Sequence, residues 1–363
     1  MKIKNIRSQV IRLPVDEPLA DGPPSGRAHN MFVTVRIGTV DGIEGVGATF
    51  FGGVLSATLK QAIDQLGAMI VGDDPLRIET LAQKLRTAAA SAGPGGILTL
   101  AISAIDMALW DIKGKALGQS LGAMLGGLRE GVPTYASGAL VRSYPLDHLL
   151  KACRTLVERG FTQMKTQMAL PGDVTPAQEA ERARLTRAAV GPDIDLMCDI
   201  NQRWSVNQAI DIGRRVEDVH FFWLEDVTAH DDYSGLARVA DALATPLASG
   251  ECLYGITPFR HTIEAHAADV IMIDLIRVGG ISNWMKVAAM AEAFNLPVVS
   301  HLFPEIHVHL VSAIPNGLTV EYMPWSFRLW QEVPAPIKGE LMVPTKPGLG
   351  LEFSRELDRY VVG

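Results

Sequence analysis

The chain has 363 residues, with 33 Lys and Arg against 40 Asp and Glu, for a formal net charge of -7. That balance argues against a nucleic-acid partner, because the phosphate backbone rewards a basic face. At 48% apolar and 20% charged the composition is that of a globular protein, and no apolar run is long enough to cross a bilayer.

Ile3–Leu13 and Phe32–Ile37 read as strands, and Asp41-Gly42 after the second is a turn signal. Between them Asp16 to Asn30, rich in Pro and Gly, reads as a mobile loop. Helical stretches follow over Ala57–Ile70 and Ile78–Ala90. Gly93-Pro94-Gly95-Gly96 interrupts the pattern before a long helix over Leu98–Leu117. Strands first and helices afterwards predict an α+β unit. Met1-Lys2-Ile3-Lys4 leads straight into a strand with no signal-peptide core, so the expected address is the cytoplasm. Cys153, Cys198 and Cys252 are too few and too scattered for a disulfide framework or a zinc site, and read as small buried residues.

From about Val132 a strand–helix beat takes over. Strands are predicted at Thr134–Ser137, Gln163–Gln167, Asp195–Asp199, Phe221–Glu225, Pro246–Gly250, Val270–Asp274, Pro297–Ser300 and Thr319–Glu321. Helices fall between them, for example Thr175–Ala189, Val206–Val216 and Ser282–Phe294. This is enough to close a parallel α/β barrel. A Pro- and Trp-rich tail follows, with Glu340–Val343 and the turn Pro347-Gly348-Leu349-Gly350, and is expected to pack back on the N-terminal region.

Asp199, Glu225 and Glu251 recur 26 and 26 residues apart, Asp274 follows after 23 more, and His301 after 27. Each closes a short, largely apolar run, and the spacing is that of one strand plus one crossover helix. Polar residues at the C-terminal ends of barrel strands point into one shared pocket. Three carboxylates converging there repel unless a cation neutralises them. The pattern therefore predicts a hard-metal enzyme.

Further segments carry a family likeness. They are the run Ala104–Lys115 followed by Leu125-Gly126-Gly127, and Met164-Lys165-Thr166-Gln167 at the place of a Lys-x-Lys motif. With them come Cys198–Gln202, Leu224-Glu225-Asp226, Ser249-Gly250-Glu251, Asp274 with Val278-Gly279-Gly280, Ser300–Glu305 and Val320-Glu321. In this order and spacing the chain resembles the mandelate racemase subgroup of the enolase superfamily, over essentially its full length. The resemblance implies an α+β capping domain (1–125, with 328–363 packing back on it) and a (β/α)7β TIM-like barrel (126–327). It also implies one essential Mg²⁺ per subunit, a small-molecule carboxylate substrate losing the proton beside its carboxylate, and a homo-oligomer between dimer and octamer.

On this reading Asp199, Glu225 and Glu251 are the expected metal ligands, leaving positions on an octahedral ion open for substrate oxygens. Asn201 lies on the strand face of Asp199 and either orients the metal shell or binds substrate. Asp226 is expected to fix a neighbour, and Arg203 or Trp204 to reach substrate from the loop. Lys165 is the expected ammonium for the developing enediolate, and Glu321 a hydrogen-bond donor if protonated. His301 is the expected base, with Asp274 fixing its tautomer; His307 and His309 read as structural. Arg27 and His29 are expected to meet a distal carboxylate or hydroxyls. Phe50, Phe51, Gly52 and Gly53 form a second, more apolar loop that leaves a smaller, less polar substrate open.

The departure from the pattern is Gln167, where racemising members carry a lysine base. An amide only hydrogen-bonds, to substrate or to its neighbours. One remaining base suits syn β-elimination, so the expected activity is dehydration of an aldonate or aldarate to a 2-keto-3-deoxy acid. The alternatives are a racemase or epimerase in which Lys165 takes the second role, and a lapsed, ligand-binding member.

Overall fold

The computed structural model describes residues 1–15, 19 and 29–362. Arg27 lies outside the described residues. β1 (Ile3–Pro14) and β2 (His29–Thr39) pair antiparallel, with Ile11 opposite Phe32. A third strand, β3 (Glu44–Thr49), pairs antiparallel with β2, and the sequence reading did not anticipate it. Two glycines in six residues hide the strand pattern, and packing requires both of them. A Cβ on Gly45 or Gly47 would come within 2.1 Å of the main-chain oxygen of Ala108 or Ala104.

Those oxygens belong to α3 (Ile97–Leu117), which follows α1 (Ser56–Ile70) and α2 (Ile78–Ala88). α3 is apolar on nearly every side and buried along most of its length, as a helix between two packed layers must be. Its two buried acids fasten those layers. Asp111 accepts from Val46 N (2.9 Å), Leu349 N (2.9 Å) and Lys115 Nζ (2.6 Å), joining β3, the helix and the tail. Asp106 accepts from Ser282 N (3.1 Å) and Ser282 Oγ (2.5 Å) on the barrel side. Gly280 makes that approach possible: its φ is +100° and a Cβ there would meet Asp106 Oδ2 at 2.5 Å.

After the single turn α4 (Leu121–Met124), eight parallel strands form the barrel. They are β4 (Gly131–Leu140), β5 (Gln163–Gln167), β6 (Asp195–Asp199), β7 (Leu224–Glu225), β8 (Leu247–Ser249), β9 (Val270–Asp274), β10 (Val298–His301) and β11 (Gly317–Tyr322). They pair in chain order, and β11 closes the ring on β4 through Val320 opposite Thr134. The outer helices are α5 (Leu146–Glu158), α6 (Pro176–Val190), α7 (Val206–Arg215), α8 (Tyr233–Ala242), α9 (Thr257–Glu264), α10 (Ile281–Ala293) and α11 (Pro304–Ala313). Capping boxes start two of them, Thr175 with Gln178 for α6 and Ser205 with Gln208 for α7. The tail divides its contacts. β12 (Glu340–Met342) pairs antiparallel with the start of β4, while Val361 bridges back to Ile11 of β1. No helix among the described residues is long and apolar enough to cross a membrane.

The barrel interior is filled by Tyr135, Met197, Trp223, Ala248, Met272 and Val299, all nearly inaccessible. Side chains alternate faces along a strand. The residue two beyond each plug therefore faces inward and higher, at the C-terminal rim. Met197 is followed so by Asp199, Trp223 by Glu225, Met272 by Asp274 and Val299 by His301. The apolar floor and the polar mouth come from one alternation.

Removing the Asp111 carboxylate strands two buried main-chain donors at the junction of three segments and leaves Lys115 only the main-chain oxygen of Glu44. Asp111→Ala is expected to lower unfolding free energy by about 3–5 kcal/mol, read from urea denaturation with an unchanged m-value. A loss below about 1 kcal/mol would show that the junction is held by apolar packing alone.

Candidate active site

Lys165, on β5, is buried in the barrel mouth between two carboxylates. Its Nζ lies 2.5 Å from Glu225 Oε1 and 2.9 Å from Glu321 Oε1. Burial opposes its charge, but Glu225 and Glu321 outweigh that and hold the ammonium well above its ordinary value. Glu225 gives its other oxygen to Trp223 Nε1 at 3.0 Å. Burial, with Asp199, Glu251 and Glu321 nearby, pushes the Glu225 carboxyl well up despite Lys165.

Glu321 corrects the expectation of a protonated donor. Both of its oxygens accept, from Leu302 N (2.7 Å) and from Ser137 Oγ (2.7 Å) together with Lys165. Burial raises its carboxyl, but Lys165, His301 and these donors bring it down to about 2. It is an ionised acceptor.

Asp199, at the end of β6, accepts from Asn201 N (2.7 Å) and Asn201 Nδ2 (2.6 Å). Burial first, then Glu251, lifts its carboxyl to about 6 against Lys165. Gln167 lies opposite Asp199 in the β5–β6 register, and its Nε2 reaches Asn201 Oδ1 at 3.3 Å. Glu251 falls out of step with the inward alternation, one residue late. Gly250 corrects this: its φ of +133°, with Met272 O only 2.4 Å from a would-be Cβ, is a turn no larger residue fits. Asp226 follows Glu225, accepts from Ser249 Oγ at 2.8 Å, and is lifted to about 7 by burial and by Glu251.

His301 closes β10 directly opposite Asp274 of β9. Its Nδ1 lies 2.7 Å from Asp274 Oδ2, and its Nε2 is 3.2 Å from Glu251 Oε2. The other Asp274 oxygen accepts from Ile276 N (2.9 Å) and Arg277 N (2.7 Å), so the ring is aimed by a carboxylate that is itself fixed. Burial would lower the imidazole, but Glu251 and the Asp274 hydrogen bond raise it to about 9. Phe51, from the β3–α1 connection, stacks on it with ring centroids 6.4 Å apart and planes 5° from parallel. Arg277 lies over Phe51, its guanidinium carbon 3.7 Å from the ring centroid.

Among the described residues, the trio of ligand atoms found within 4.8 Å of one another is Asp226, Glu251 and Cys252. Asp199, Glu225 and Glu251 line the same mouth but are not gathered that tightly. Lys165 and Trp223 hold Glu225, Asn201 holds Asp199, and His301 pairs with Glu251.

Other expectations fare differently. His29 is exposed at the start of β2 and meets Arg12 at 3.3 Å rather than a residue of the mouth. Arg203 is exposed, whereas Trp204 is buried in the core. His307 and His309 are buried and bond main-chain groups of Leu302, Gly122 and Leu349. Two residues of the mouth escaped the sequence reading. Ser137 was legible, two residues beyond the inward Tyr135. Arg142 lies past the end of β4 and carries no periodic signal.

The backbone is bent where strands run into the mouth: Ala169, Asn201, Gln202, Asp226, Leu302 and Phe303 all have positive φ, as does Phe51 above them. Such conformations cost roughly 1–3 kcal/mol each and persist where the surroundings impose them.

Two family models match the chain. One described as the mandelate racemase/muconate lactonizing enzyme N-terminal domain covers residues 21–126, and one described as enolase C-terminal domain-like covers residues 148–357. An L-talarate/galactarate dehydratase of Salmonella typhimurium is 32% identical across 99% of this chain and 91% of its own length. A 3,6-anhydro-alpha-L-galactonate cycloisomerase of Streptomyces coelicolor is 31% identical across 99% of this chain and all (100%) of its own. Among solved structures, an L-talarate dehydratase of Polaromonas sp. JS666, complexed with Mg and L-glucarate, superposes with a TM-score of 0.92. It is 31% identical, covering 100% of this chain and 98% of that one. With a closed eight-stranded barrel, an antiparallel cap and both halves matched by family models, the chain belongs to the mandelate racemase/muconate lactonizing enzyme family of the enolase superfamily.

Proposed function

We propose that this protein is a Mg²⁺-dependent acid-sugar dehydratase, with His301 as its base. One observation carries the reading: the mouth holds an imidazole aimed by Asp274 on one side and an amide, Gln167, on the other. Chemistry needing a proton acceptor on both faces of a carbon has no second acceptor at that position. Lys165, engaged by two carboxylates, is built to stay an ammonium.

The donors fit a hard divalent cation. They are carboxylate oxygens, buried, on successive strands, and burial together with the neighbouring acids lifts the carboxyls of Asp199 and Glu225. Asp199, Glu225 and Glu251 would hold Mg²⁺, which when bound supplies positive charge where the substrate carboxylate becomes an enediolate. His301 Nε2, 3.2 Å from Glu251 Oε2, is the ring nitrogen that does not bond Asp274 and would face substrate.

His301 Nε2 takes the proton from C2, and the C–H pair moves into the carboxylate. The Lys165 ammonium stabilises the added charge. The pair then returns to form the C2=C3 bond as the C3–O bond breaks. Hydroxide leaves as water with the proton His301 carries, and the resulting enol tautomerises to the 2-keto-3-deoxy acid. The dehydratase named among the relatives suits a leaving oxygen at C3.

A library of mono- and diacid sugars incubated with the Mg²⁺-loaded protein should yield a semicarbazone-positive 2-keto acid. His301→Asn is expected to lower kcat by about 10²–10⁴-fold, and EDTA to abolish turnover. A folded, metal-loaded protein that converts no acid sugar would overturn the assignment.

In D₂O the unreacted substrate should keep its C2 configuration, with label appearing at C3 of the product. Deuterium entering C2 with inversion, and no keto acid formed, would establish a racemase or epimerase instead.

A further inference from the structure

Arg142 is 8% exposed, yet it makes no ion pair with any described residue. Its Nη2 donates to Asn201 Oδ1 (2.5 Å) and to the main-chain oxygen of Asp199 (3.2 Å). Its backbone N donates to Gln167 Oε1 (3.3 Å). Nε is shut off from solvent without an acceptor, and no described residue accepts from Nη1. Of the acids whose fields reach it, Asp199 is already oriented by Asn201. Glu179 spends both oxygens on Ala169 N (3.2 Å) and Leu170 N (2.6 Å).

A buried guanidinium without a counterion is costly, and folded proteins pair such charges. The position says what the partner is. In the ring order β6 lies four strands from β10, so Arg142, anchored at the end of β6, stands across the mouth from His301. Two neutral amides frame it there, exposed Asn201 and half-buried Gln167. Exposed Arg203 adds positive charge on the same side. With Nη2 spent on Asn201 and Asp199 and Nε closed off, Nη1 is the nitrogen left to donate a charge-assisted hydrogen bond to a carboxylate.

We propose that Arg142 binds a second carboxylate of the substrate, so that the enzyme acts on diacid sugars in preference to the monoacids. This deepens the dehydratase reading and rests on it. The first carboxylate lies by Lys165 beside His301, and the second reaches the opposite wall and becomes the missing counterion.

The test uses the Mg²⁺-loaded protein and matched pairs of aldarate and aldonate, differing only in a terminal carboxylate or CH₂OH. Wild type is expected to favour the diacid. Arg142→Gln should cut kcat/KM for the diacid by roughly hundredfold, mostly through KM, and by at least about tenfold more than it cuts that for the monoacid. Arg142→Lys should restore part of the loss. Equal losses for both substrates, or a wild type indifferent to the second carboxylate, would overturn the proposal and leave Arg142 a support for Asn201. Calorimetric binding of the aldarates is measured in parallel. If nothing turns over but diacid binding is tight and weakens in Arg142→Gln, the dehydratase reading falls and the carboxylate site stands. If no diacid binds, or the variant binds as well as wild type, the site falls too. Thermal melts confirm that the variants are folded.

Discussion

Everything at the barrel mouth depends on one buried ammonium. Lys165 sits between Glu225 and Glu321, in a space shared with Asp199, Asp226 and Glu251. So many acids in a medium of low dielectric repel strongly. The ammonium offsets part of that and sorts what is left. Glu321 is also served by Leu302 N and Ser137 Oγ, and falls to about 2. Glu225 touches the same ammonium but faces more of the other acids, and is driven well upward. Neighbouring carboxylates thus stand on opposite sides of their ordinary range. Two of the raised carboxyls, Asp199 and Glu225, belong to the candidate cation site, and the depressed one, Glu321, is a fixed anion behind the lysine. The excess negative charge left on Asp199, Glu225 and Glu251 is what makes a divalent cation a fitting occupant.

The sequence displayed this centre because strand geometry is simple. An inward face repeats every two residues and a strand–helix unit every twenty-odd, so Asp199, Glu225, Asp274 and His301 announce themselves at the ends of apolar runs. The bounds of β5, β6 and β9 were readable for the same reason. What the sequence concealed was governed by tertiary contact. β3 is half glycine-patterned because α3 lies on it. β7 retains two residues of ladder where the four apolar residues Phe221–Leu224 suggested more. Glu251 reaches the mouth out of step, through the positive φ of Gly250. The ionisation of Glu321 turns on Lys165 of β5, His301 of β10 and the amide of Leu302, none of them near it in sequence. Arg142 belongs to no periodic pattern, and burial alone distinguishes it.

The cap contributes more than a cover. Phe51 leaves the three-stranded sheet with φ of 64° and lays its ring parallel to that of His301, while Phe50 packs on Phe303 and Trp325. Arg277, whose backbone N helps fix Asp274, lies over the Phe51 ring. The aromatic ring is thus held by the same residue that steadies the base's carboxylate. Water kept from the imidazole strengthens every electrostatic interaction at that spot. The cost is borne away from the chemistry, in α3, where Asp106 and Asp111 tie cap, barrel and tail together. A cap docked less firmly would leave Phe51 free to rotate and His301 open to solvent. The mouth is therefore asymmetric in two respects at once: an apolar, shielded wall around the base, and a polar wall of amides and guanidinium facing it. A substrate that loses a proton to one wall and presents oxygens to the other is held in a single orientation, which is what a one-base elimination requires and a two-base inversion does not.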